Sequence, residues 1–129
     1  MSTDRSSAAT WASDYGRTWS SWDVEGFVAL FTEDVVYVDH PSSQAVRGRE
    51  ALRAYVLGER EAQGEVTVRI GSPLIDNDRV AAEFWASARD VAIAGGFIAH
   101  LDREGLCSFF REYWFELDAA AQPFAGWGT

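Results

Sequence analysis

Residues 22–56, WDVEGFVALFTEDVVYVDHPSSQAVRGREALRAYV, constrain the fold more than any other part of the chain. Phe27, Leu30 and Phe31 fall at helical spacing, and Asp23 stands where it can cap the first turn. Residues 35–39 then change to a β-branched and aromatic run in strand register. Pro41 ends that run because it cannot donate to a ladder. After a Ser42-Ser43-Gln44 loop and an Arg47-Gly48-Arg49 turn, helical spacing returns over residues 50–57, with Leu52, Tyr55 and Val56 as inward positions and Gly58 or Gly64 as alternative ends. A strand end carrying Asp39 and His40 is thus set between two amphipathic helices, the arrangement of a small pocket domain.

The flanking segments complete the pattern. Residues 1–9 are small and polar and are expected to fray. Beyond them Trp11, Tyr15, Trp19 and Trp22 recur at helical spacing and predict a first helix with an inward aromatic stripe. Residues 65–72, 79–89 and 106–117 read as strands, Asp76-Asn77-Asp78 as a turn, and Gly95-Gly96 is expected to break the apolar stretch 91–101. Three helices followed by an antiparallel meander predict an α+β domain with the helices on one face of a curved sheet.

A length of 129 residues fits one domain, expected to occupy 10–118 between a flexible N-terminus, 1–9, and a tail, 119–129. Phe124 and Trp127 make that tail too apolar to be free, and it is expected to fold over the pocket mouth or onto a partner subunit. The net charge of −9 arises from 20 acidic residues against 11 basic ones, all arginine. Such a surface disfavours nucleic acid and anionic membranes as partners. With no lysine, neither a Schiff base nor a pyridoxal anchor can form. A lone Cys107 excludes an intramolecular disulfide and an all-thiolate metal site, and the lack of an export leader points to the cytoplasm. His40 and His100 have no metal-ligand spacing, and no Gly-rich phosphate cradle precedes a helix, so neither a metal nor another cofactor is expected.

Three pieces, FVALFTEDVVYVDHP (27–41), RGREALRAY (47–55) and REYW (111–114), resemble the nuclear transport factor 2-like superfamily and its SnoaL-like branch, which includes ketosteroid isomerases and polyketide cyclases. The resemblance runs from about residue 11 to 117. It implies a cone-shaped, cystatin-like α+β fold in which N-terminal helices pack on a curved, mostly antiparallel sheet. It also implies a homodimer and a conical pocket for a small apolar or amphipathic molecule. In the isomerases the carboxylate just before the strand-ending proline is the general base. Here His40 holds that place and Asp39 precedes it, so a one-residue register choice decides which side chain enters the pocket. Tyr15 matches the tyrosine that donates to the substrate oxygen. The second acid of that oxygen site would fall near Phe97, where the chain has none, which disfavours steroid-type isomerisation.

The residues themselves suggest the same chemistry. Burial strengthens a carboxylate such as Asp39 as a proton acceptor, and an imidazole such as His40 exchanges protons near neutrality. Each has a plain alternative: Asp39 caps loop amides or pairs with arginine, His40 faces solvent, and Tyr15 is a core aromatic. Trp19, Tyr37, Phe97, Glu112 and Trp114 are the expected pocket lining. His100 is set for a sheet-face contact, while Glu83 and Cys107 are weaker candidates for function. Three functional readings follow: a binder of a small, largely apolar ligand with no assigned reaction; an acid-base enzyme of isomerase, cyclase or dehydratase type; and a protein-interaction adaptor.

Overall fold

The computed structural model describes residues 5–129. The N-terminal stretch expected to fray therefore lies partly outside the described residues, and α1 (Arg5–Ser21) begins at its fifth position. Ala8, Trp11, Ala12, Tyr15 and Trp19 form the buried stripe of α1, and the Trp11 indole donates to the Leu30 carbonyl at 2.9 Å. Trp22 turns the chain with φ 51°. Asp23 then accepts from the Gly26 amide at 3.0 Å and caps the short α2 (Val24–Val28).

The chain continues through β1 (Phe31–Val38), β2 (Val46–Arg47), α3 (Arg49–Gln63), β3 (Val66–Ile70), β4 (Leu74–Asp76), β5 (Arg79–Ala88), β6 (Ala92–Leu101) and β7 (Cys107–Leu117). Helix α3 runs through Gly58 and stops at Gly64, whose φ of 65° suits glycine. The strands form one mixed sheet in the order β2-β1-β7-β6-β5-β3, with β4 also paired to β5. β1 and β7 run parallel, and the other pairs are antiparallel.

The expected cone is not formed. The sheet is an open path whose end strands, β2 and β3, do not pair with one another. Two local features explain the open edges. β2 offers only two paired positions, Val36 with Arg47 and Tyr37 with Val46, too short a strand to carry the ladder onward. At the other edge α1 covers β3: the Val68 amide donates to the Ser20 hydroxyl at 2.9 Å, so a helix side chain takes up an amide that a further strand would have paired. Helices on one face of an open mixed sheet remain an α+β arrangement.

Gly95 and Gly96 do not break the strand they were expected to interrupt. They lie inside β6, opposite Trp114 and Tyr113 of β7. A Cβ on Gly95 would stand 1.8 Å from the Tyr113 carbonyl oxygen, so this glycine lets two backbones approach rather than turn. Gly95→Ala is expected to destabilise the fold by about 1–3 kcal/mol or to prevent folding. A lowered urea midpoint would be the readout, and an unchanged midpoint would contradict this account.

The core lies between α1 and the inner sheet face. Tyr15 packs on Phe97 and Phe110 at 5.1 Å, Tyr37 stacks on Phe110 at 4.7 Å, and Phe31 meets Trp11 edge-on. Each fully buried ring contributes about 1.5–3 kcal/mol relative to exposure. On the outer face Trp127 of the tail packs against Trp85 and under the Arg69 guanidinium, and the Gly128 amide donates to Glu83 at 3.0 Å. The described tail residues form no part of the inner cavity wall.

Candidate functional site

Strand alternation sends every second residue of β7 inward, so Phe110, Glu112, Trp114 and Glu116 share one face. They meet Tyr15 and Trp19 from α1, Tyr37 and Asp39 from the end of β1, and Tyr55, Glu59 and Gln63 from α3. Together these elements enclose a cavity of about 400 Å³, buried at the Tyr15 and Glu112 end and open toward Trp22, Asp90 and Glu116.

Glu112 is the chemically distinctive group, a carboxyl only 4% exposed among aromatic rings. The Tyr15 hydroxyl donates to its Oε1. Burial pushes Glu112 up to about 8, against that hydrogen bond and helped by the negative charges of Asp39 and Glu59. At neutral pH Glu112 is therefore mostly a neutral acid, with a proton to donate into the cavity. Burial likewise raises Tyr15, Tyr37 and Tyr55 well above the usual phenol range, so all three remain neutral donors.

Asp39 lies across the same cavity. Tyr55 donates to its Oδ2 at 2.9 Å, and the Trp114 indole donates to its backbone carbonyl, fixing the strand end. His40 is turned aside. Its Nδ1 lies 2.7 Å from the Ser42 hydroxyl, and its ring packs edge-on against Trp114 from outside the wall.

The structure thus brings Tyr15, Trp19, Tyr37, Asp39, Glu112 and Trp114 to one cavity and leaves His40 out of it. Phe97 supports Tyr15 from within the aromatic core instead of lining the space. His100 sits on the outer face with Nε2 buried and unpaired; burial and then Arg79 and Arg111 push its pKa down. Burial drives the Cys107 thiol up to about 12, which removes its reactivity. Two features escaped the sequence reading. Helical spacing marks Tyr55 only as a buried position and gives Glu59 and Gln63 no role. Their spacing of four along α3 is a polar stripe on an inward face, and that signal was available.

Phe97 and Glu112 are direct cross-strand partners in the β6–β7 register. A buried carboxyl therefore stands beside the Phe97 position, on the neighbouring strand.

The chain belongs to the SnoaL-like domain family, whose sequence profile matches residues 12–116. Many solved structures share the fold, three of them as follows. The Mycobacterium tuberculosis protein RV0760c is 23% identical, with 88% of this chain and 94% of that one covered and a TM-score of 0.75. SalBIII, described as an epoxide hydrolase/cyclase-like enzyme with a role in pyran ring formation in the polyether salinomycin, is 24% identical, covers 87% and 93%, and has a TM-score of 0.77. A protein from Kribbella flavida, provisionally named a ketosteroid isomerase, is 26% identical, covers 96% and 87%, and has a TM-score of 0.74. No protein of curated function matches the sequence.

Proposed function

We propose that the chain is an acid-base enzyme acting on a small, largely apolar carbonyl compound. Asp39 removes a proton from the carbon beside the carbonyl, while neutral Glu112, held by Tyr15, donates to the oxygen on which negative charge develops. Returning the proton to another carbon gives isomerisation; loss of a neighbouring hydroxyl gives dehydration; attack of the enol on a second electrophile gives cyclisation. The carrying observation is the buried acid of Glu112 facing Asp39 across one aromatic cavity. A neutral acid beside a held carboxylate is the division of labour that proton transfer at carbon requires. The names given to SalBIII and to the Kribbella flavida protein favour a reaction over simple binding.

The test is deuterium exchange into 2-tetralone in D2O, followed by proton NMR. Loss of the α-proton signals faster than in buffer alone is the expected result. Binding without faster exchange would remove the catalytic assignment and leave a ligand-binding domain.

The homodimer implied by the resemblance has a surface suited to it. On the outer sheet face Tyr113 and Phe115 project with 49% and 76% exposure, in register with Gly96 and Ala94. We assign this face to a second copy of the chain, because two large rings exposed on adjacent outward positions of a central strand are otherwise costly. Phe115→Glu is expected to halve the mass measured by light scattering. A wild-type protein that already runs as a monomer would refute the assignment.

A further inference from the structure

The cavity wall has a one-sided charge. Five carboxyl side chains line it, Asp39, Glu59, Asp90, Glu112 and Glu116, and no arginine or histidine does. Arginine supplies 11 charges in the chain against 20 acidic ones, so an acidic composition alone would still bring some arginine to the wall. The carboxylates are also ordered by depth. Glu112 is buried, Asp39 and Glu59 are half-buried, and Asp90 and Glu116 are exposed at the opening.

Between them stand the faces that suit a cation. Trp19, Trp22, Tyr37, Tyr55 and Trp114 contribute rings to the same space. Glu59 is held by the Gln63 amide at 2.8 Å, and Gln63 in turn accepts from the Trp19 indole at 3.1 Å, so the Glu59 charge is fixed beside an aromatic wall. The nearest opposing cation, Arg89, lies 3.8 Å from Asp90, but both side chains are highly exposed, at 90% and 85%. Such a pair is weak and exchangeable. The buried groups register the same field: negative charges from Asp39 and Glu59 act on Glu112, and among the described residues no positive charge opposes them.

We propose that the ligand of this cavity carries a positively charged nitrogen, a protonated amine held by Glu59, Asp90 and Glu116 against the Trp22 and Trp114 rings. The inference rests on the proposed acid-base reading for the carbonyl end of the molecule and specifies the other end, which makes the substrate class an apolar amino ketone. The amine stays near the opening, where water completes its solvation, and the carbonyl reaches Glu112. Carboxylate or phosphate substrates of the same size are repelled at the opening.

Calorimetric titration with three probes on one naphthalene frame tests this: 2-(2-naphthyl)ethylamine, 2-(2-naphthyl)ethanol and 2-naphthylacetate. The amine is expected to bind at least about tenfold more tightly than the alcohol, with the carboxylate weaker than both. Its advantage should shrink in high salt. In the triple variant Glu59→Gln, Asp90→Asn, Glu116→Gln the amine should fall to the affinity of the alcohol, while the alcohol is unaffected. Equal binding of all three probes, absence of binding, or an amine preference that survives the triple variant would each overturn the proposal. The readout is separate from catalysis: an amine preference with no α-proton exchange would refute the reaction and leave the ligand class standing.

Discussion

Glu112→Gln is expected to raise the melting temperature at pH 8 and to leave it nearly unchanged near pH 4.5. The folded protein holds this carboxyl at about 8, against 4.5 for an ordinary glutamate. Between those values the folded state binds more protons than the unfolded state. Wild-type stability contributed by this group is therefore full at low pH, declines as pH rises through the window, and levels off above about 8. The decline amounts to a few kcal/mol at most, or on the order of 10 °C in melting temperature for a domain of this size. Glutamine carries no titrating proton, and its carbonyl still accepts from Tyr15, so the variant has no such decline. The difference between the two melting curves against pH isolates the group from every other carboxylate. Parallel curves would mean that Glu112 is ionised in the folded state and would remove it as the acid.

Asp39→Asn is expected to slow α-proton exchange about 10²–10⁴-fold. The amide has the shape of the carboxylate and can still accept from Tyr55, and the Trp114 bond runs to the backbone carbonyl, so the cavity stays assembled. Ketone affinity should then change little while the rate collapses. Tyr55→Phe removes only the bond that orients Asp39 and should cost about tenfold. His40→Gln is the internal control. Its ring lies outside the wall, and full activity is expected; loss of activity there, with Asp39→Asn still active, would move the base to His40.

The sequence carried the element types well because their signals are local. The aromatic stripe of α1, the Asp23 cap and the alternation of β7 depend on residues a few positions apart. It was weaker wherever partners come from distant segments. Whether Asp39 or His40 enters the cavity is settled by Tyr55 and Trp114, 16 and 75 residues from Asp39. The buried carboxyl nearest Phe97 in the sheet comes from the facing strand, and only strand pairing, not local sequence, makes positions 97 and 112 neighbours on one sheet face. Gly95-Gly96 misled for a related reason: a glycine needed for close approach to another strand has the same local signature as a glycine needed for a turn. The cone-shaped sheet failed at the edges, where a two-residue β2 and the Ser20 contact end the ladder.

The parallel pairing of β1 with β7 has a consequence for when the protein becomes competent. Asp39 follows the first strand of the domain and Glu112 lies on its last described strand, and these two strands are neighbours in the sheet. Among the described residues β1 pairs only with β7 and with the two-residue β2. Joining β1 to β7 closes a loop that spans about two-thirds of the domain, from Val38 to Arg111, and such long-range pairing is slow because the loop entropy is lost before the contacts form. Asp39 and Glu112 are therefore brought onto one cavity wall only when the two strands most distant in sequence pair.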